Sequence, residues 1–398
     1  MIGVVAMLFR IILVVGIVSL TGCGLDGNVH RGSKNPLQSG NNSNPGNVIP
    51  EAEKKTIFEA VWNELLVYSL KSLPEEGSVR DENVPYSGFW YPNNAGGTGV
   101  RVSSDLSALE KYDKVFNGGG NQAQTWEATN HGPSASEVEW AGHCNGWTAA
   151  SQRQKEPRHT VTKNGIVFEP RDIKALLAEV HMSAKPELLG GHRCNSPQSG
   201  SIFSNTDSQC EPINPAVFHV VLANWIGRKS HTVAFDKSST NQVWNYPIYA
   251  YSAKISSMSE SEGARLFASG SQGQIKDYVS VYLTVTHADS LGSDGSGESN
   301  SFPTRKSKQV VYSYALGLDA SGSVVDGVWM NRSETSPPEF VWVAFEPLQN
   351  DSHPQLGNPH LNIETVLSLW AESIGENPGS APRDIQSPCW PLSQCIKE

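Results

Sequence analysis

The sequence is short of positive charge. Its 30 lysines and arginines are outnumbered by 40 aspartates and glutamates, for a formal net charge of −10 and a pI near 5.6. No basic stripe runs along any segment, which argues against a nucleic-acid partner. The apolar run Ile11 to Leu20 is too short for a comfortable membrane span. Cysteine is scarce, at six residues, and no C-x-x-C or H-x-x-x-H spacing accompanies it, which weakens a zinc-finger reading. No internal repeat stands out, so a solenoid is not expected.

What is present begins with a targeting segment. Ile11 to Leu20 has the length of a signal-peptide core, preceded by Arg10 and followed by Leu20-Thr21-Gly22-Cys23. That ending resembles a bacterial lipobox. It implies removal of residues 1–22, a lipid on Cys23, and attachment to a membrane surface without a spanning helix. Gly24 as the second mature residue favours the outer over the inner membrane, so the expected location is the cell envelope. Residues 23–55 are rich in Gly, Asn, Ser and Pro and read as a flexible tether. Residues 56–376 are long enough for one large domain or two small ones, and 377–398 read as a C-terminal tail. In an exported chain the local pairs Cys194–Cys210 and Cys389–Cys395 read as disulfides.

The remaining cysteine lies in Glu139-Trp140-Ala141-Gly142-His143-Cys144-Asn145-Gly146-Trp147-Thr148-Ala149-Ala150. Polar, irregular sequence (Asn117 to Ser136) precedes it and a small-residue, helix-compatible run follows. That order puts Cys144 at a helix start, where unpaired N–H groups and the helix dipole favour a thiolate. Trp140 and Trp147 would wall the site for substrate, and Gly142 and Gly146 would let other chain segments approach closely. A buried structural cysteine is the competing reading.

Helical periodicity is read for Ala52 to Leu70 and for Glu169 to Val180, with His181 at the latter's surface end. Val217 to Leu222 and Thr232 to Asp236 read as strands, followed by Gln242 to Tyr251, Asp277 to Thr286, Gln309 to Leu318, Ser323 to Met330 and Phe340 to Phe345. A last helix starts at Asn358-Pro359. Helices carrying Cys144, then an antiparallel sheet carrying His219, make an α+β plan similar to papain-like cysteine enzymes. In that plan His219 takes the thiol proton, Cys144 attacks a carbonyl, and Asp236 fixes the imidazole tautomer. His143, His231 and His192 are rival bases and Asn224 a rival orienting residue. Gln124 and the Trp140 indole are candidate oxyanion donors.

The stretch from Trp140 to Ala150 resembles the transglutaminase elicitor family, known from oomycete cell-wall proteins and bacterial relatives. Supporting likeness lies in Asp172 to Leu177, Gly191 to Asn195, Asn214 to Asn224, Val243 to Pro247, Gly327 to Trp329 and Pro338 to Trp342, over about residues 56 to 375. His192 and the long loop from Asp289 to Lys308 depart from the pattern expected. The resemblance implies a papain-like core with Cys144 catalytic. It implies protein-glutamine γ-glutamyltransferase activity on a glutamine-containing protein and a primary amine, with Ca²⁺ as a possible cofactor. A peptidase or deamidase using the same residues, or an inactive surface-binding lipoprotein, are the alternatives.

Overall fold

The computed structural model describes residues 56–379, apart from 103–104, 134–138, 192–211, 240–241, 268–272, 292–298 and 348–356. The lipobox with Cys23, the tether, His192 and the cysteines at 194, 210, 389 and 395 lie outside the described residues.

An eight-stranded antiparallel sheet forms the frame. Its strands are β1 (Glu76–Ser78), β4 (Ala184–Gly191), β5 (Val233–Asp236), β6 (Asn245–Ser257), β7 (Asp277–Ala288), β8 (Ser307–Leu318), β9 (Val324–Trp329) and β10 (Phe340–Pro347). They run in the order β4-β10-β5-β6-β7-β8-β9, with β1 added on β6. The alternation expected of β7 is met: Val281, Leu283 and Val285 are buried, while Tyr282 stands half exposed. A small hairpin of β2 (Val161–Lys163) and β3 (Ile166–Phe168) lies apart.

Among the described residues the main helices are α1 (Ile57–Trp62), α2 (Ala108–Phe116), α3 (Gln122–Asn130), α4 (Cys144–Arg153), α5 (Pro170–His181), α6 (Pro215–Leu222), α7 (Glu260–Leu266) and α8 (Ile363–Ser373). Three depart from the sequence reading. The first helix is shorter than expected, because the Thr56–Glu59 capping box starts it and Asn63, at φ 52°, ends it in the left-handed region. Helix α3 lies in sequence read as irregular. The stretch with His219, read as a strand, is helix α6: Pro215 sits at its first turn and the Asn214 side chain caps Ala216 N. A run rich in β-branched residues was thus overruled by its own N-terminal start signal.

Helices α4 and α5 cross closely because residue 146 is glycine. A Cβ there would stand 2.1 Å from the Ala178 carbonyl oxygen. Ala149 of α4 packs with Ala234 and Trp342, joining this helix pair to the sheet. Helix α6 packs through Phe218 on Tyr312 and Trp329. The result is a mixed fold of helices and antiparallel sheet, with the Cys144 helix packed on the sheet.

Candidate active site

Cys144 is the first residue of α4, as its sequence surroundings require, and only 1% exposed. The turn before it is clamped by a neighbouring segment. His143 N donates to Trp90 O (2.6 Å), Asn93 N donates to Ala141 O (2.9 Å), and Gly142 bridges to Pro92. Residue 142 has to be small, since a Cβ would meet Trp90 O at 2.5 Å.

The sulfur faces the start of β6. Sγ lies 3.8 Å from Val243 O and 3.7 Å from Asn245 Nδ2. The orientation of that amide is set by a donor-only neighbour: Trp342 Nε1 donates to Asn245 Oδ1 at 2.9 Å, which turns Nδ2 toward the sulfur. Thr148 Oγ1, one turn along α4, donates to Asn245 O at 2.9 Å and holds the strand to the helix. The S–H donates to Val243 O and is buried, which favours the thiol, while the Asn245 amide N–H on Sγ and the helix N-terminus favour the thiolate.

Asp236 pairs directly with Asn245 across β5 and β6, so the two share a face of the sheet. Its Oδ1 accepts from Trp244 N (3.3 Å), which fixes the segment facing the sulfur. Its carboxyl also hydrogen bonds to that of Glu339, which requires a shared proton. Burial first, then the Glu339 charge, pushes the Asp236 pKa well up.

His219 is not brought to this constellation. Its Nδ1 meets the Tyr314 hydroxyl at 2.7 Å. Tyr314 lies opposite Val281, Val285 opposite Tyr251, His287 opposite Ile248 and Tyr246 opposite Phe235; all of these share one face, and Asn245 points to the other. His219 therefore meets the sheet from the face that Cys144 does not, and Asp236 does not orient it. Burial holds its pKa down at about 4.

The other candidates are also placed. His231 Nδ1 lies 2.6 Å from Thr232 O, and the ring stacks edge-on against Trp225. Asn224 bonds Val67 and Val220, away from any imidazole. Gln124 is engaged by Ser107 Oγ and Gly99 O, so it is no oxyanion donor in this arrangement. His181 is buried and not at the surface; burial, then Arg153, lowers its pKa to about 3. Trp147 is core and not a substrate wall: it is 1% exposed and its Nε1 donates to Tyr86 O (3.2 Å). Trp140 is half-buried beside the Cys144 core. Trp244, half-buried and edge-on to Trp90 at 5.2 Å, lies between the two residues that touch Sγ and is the aromatic the sequence reading passed over.

His143 turns its ring away from Cys144. Nε2 lies 2.9 Å from Glu179 Oε2 and 3.3 Å from Glu127 Oε1, and Nδ1 faces Tyr91 O at 3.2 Å. Burial alone would lower its pKa, but the Glu179 and Glu127 carboxylates prevail and raise it to about 9. His131 Nδ1 completes the group at 3.0 Å from Glu127 Oε2. Glu127, His131, His143 and Glu179 are all buried, with ligand-capable atoms within 4.8 Å of one another. Calcium takes six to eight oxygen ligands, so a set with two imidazole nitrogens does not fit it. Asn245, Glu127, His131 and Glu179 were missed in the sequence. The Glu127–His131 spacing of four becomes a signal only once α3 is known to be a helix.

Comparison with known proteins adds the following. The family model for the transglutaminase elicitor matches residues 121–373. The chain is similar to the crystal structure of the GP42 transglutaminase from Phytophthora sojae, with 22% identity and a TM-score of 0.62, over 80% of this chain and 96% of that one. At this identity the likeness shows the fold. No curated protein sequence matches.

Proposed function

The chain belongs to the transglutaminase elicitor family, and from that premise we propose that it is a protein-glutamine γ-glutamyltransferase with Cys144 as nucleophile. The observation that carries the reading is the Asn245 amide directed at Cys144 Sγ at the start of α4. In this reaction the thiolate attacks the carboxamide carbon of a glutamine side chain. The leaving nitrogen takes a proton from solvent and departs as ammonia as the thioester forms. A primary amine then attacks the thioester and gives up a proton to solvent as the thiolate leaves and the isopeptide bond forms. Asn245 stabilises the thiolate, and Trp342 and Thr148 hold Asn245. Asp236 acts as a positioning residue through Trp244 N and not as the partner of a catalytic His219. Trp244, Trp90 and Trp140 supply the apolar approach that lets an amine compete with water.

The remaining parts of the proposal come from the sequence. Cys23 anchors the protein by lipid at the cell envelope, and the distal cysteine pairs form disulfides. A calcium requirement is tested in the same assay. The chain starting after the tether is incubated with a glutamine-containing protein and a fluorescent primary amine, with and without Ca²⁺. Amine incorporation that disappears in Cys144→Ala, with the circular dichroism spectrum retained, supports the transferase. Ammonia release without incorporation moves the protein to a deamidase, and full activity in Cys144→Ala sinks the assignment.

A further inference from the structure

We propose that Glu127, His131, His143 and Glu179 form a closed structural site for one divalent transition-metal ion of the zinc class, stapling α3, α5 and the turn that carries Cys144. The inference does not depend on the reaction proposed above.

The donor set is the first argument. Two imidazole nitrogens and two carboxylates converge with full burial, and zinc takes such N and O ligands in fours. Bonds of about 2.0–2.1 Å place tetrahedral ligand atoms roughly 3.3 Å apart. The 2.9 and 3.3 Å contacts of His143 Nε2 are already there, and the widest separation, 4.8 Å, closes with small side-chain rotations.

The surrounding shell is the second argument. His143 Nδ1 donates its N–H to the Tyr91 carbonyl, which directs Nε2 into the cluster, where a bound ion would replace the proton it carries. Nε2 is fully buried and lies within 2.9 Å of Glu179 Oε2 and 3.3 Å of Glu127 Oε1. The carboxylates are oriented from outside: Thr98 N donates to Glu127 Oε1 (2.8 Å), Thr98 Oγ1 to Glu179 Oε2 (2.7 Å), and Asn358 N to Glu179 Oε1 (3.0 Å). Gly97 gives the cluster room, since a Cβ there would lie 2.0 Å from Glu127 Oε1.

Charge balance is the third argument. Two carboxylates converge in a buried volume, and a divalent ion neutralises both. Four protein ligands leave no position for water, so the ion would be structural and not catalytic.

The test uses the full chain, stripped with a chelator and titrated separately with Zn²⁺, Co²⁺, Ca²⁺ and Mg²⁺. Expected are one Zn²⁺ per chain and a higher thermal midpoint. Co²⁺ should give a tetrahedral visible spectrum without thiolate charge-transfer bands, unchanged in Cys144→Ser. His131→Gln should weaken Zn²⁺ affinity by about a hundredfold or more. Should that variant fail to fold, the wild-type cobalt spectrum decides alone. Absence of stoichiometric Zn²⁺ binding, a thiolate signature in the cobalt spectrum, or equal affinity for Ca²⁺ overturns the site.

Discussion

Asn245 and Trp147 show how far a side chain's role depends on what it faces. Asn245 was visible only as a polar residue at a strand start, yet its amide is held by Trp342 and points at Cys144 Sγ. A hydrogen bond to a charged partner contributes about 1.5 kcal/mol or more. Asn245→Ala should therefore slow iodoacetamide labelling of Cys144 at neutral pH by roughly tenfold. A labelling rate equal to wild type would remove Asn245 from the site. Trp147 and Trp244 divide in the opposite way from their sequence distances to Cys144. Trp147 fills the core against Tyr86 and Gly88, so Trp147→Ala should lower stability by about 3–5 kcal/mol in urea unfolding. Trp244 is half-buried between Val243 and Asn245, the two residues that touch Sγ. Trp244→Ala should leave the unfolding midpoint nearly unchanged and lower amine incorporation, chiefly through KM for the acyl donor.

At the scale of elements, the sheet and the nucleophile helix were legible. Runs rich in β-branched and aromatic residues set β7, β8 and β9, and the strands expected at Gln309 to Leu318 and Ser323 to Met330 are both present. The small residues after Cys144 gave α4. Two kinds of segment were hidden. Helix α3 buries few apolar side chains: its buried positions are Ala123 and Glu127, so its period is carried by a carboxylate. Helix α6 is apolar on every side because it is wholly buried, and periodicity cannot separate such a helix from a buried strand; its Asn214-Pro215 start could have. The site followed the same division. Cys144 was readable from local sequence, while its contact to Asn245, 101 residues away, was set by strand register. The α4–α5 crossing offers a test at this scale. Gly146→Ala puts a methyl against the Ala178 backbone carbonyl, which cannot rotate away. Overpacking of this kind costs about 1–3 kcal/mol and shifts the helix that carries Cys144. Stability and amine incorporation should fall together; loss of neither would mean that the helices part without consequence.

For the whole molecule, buried titratable groups set opposite slopes on the dependence of stability on pH. Burial holds His219 at about 4, and burial with Arg153 holds His181 at about 3, against an ordinary 6.5. As pH falls below 6.5 the unfolded chain takes up these protons and the folded chain does not. The unfolded state then binds more protons, so stability is lost on acidification from about pH 6.5 until the folded values are reached. His219 contributes roughly 3 kcal/mol of that loss. Asp236 acts with the opposite sign. Burial and then Glu339 raise its pKa, so the folded chain keeps a proton that the unfolded chain has released above 3.8, and stability falls as pH rises from there toward the folded value. His219→Gln removes the titration and keeps a polar partner for Tyr314, so it should flatten the acid limb between pH 6.5 and 4. Asp236→Asn keeps the Oδ1 acceptor for Trp244 N and should remove its share of the loss of stability as pH rises from 3.8, which opposes the His219 slope over the same range. The two residues stand on opposite faces of the sheet and share no partner, so the double variant should show the sum of both changes. Urea unfolding of the four proteins from pH 4 to 8 measures this. A steeper acid loss in His219→Gln would mean that His219 is charged in the folded protein, and would overturn its assignment as a buried, neutral imidazole.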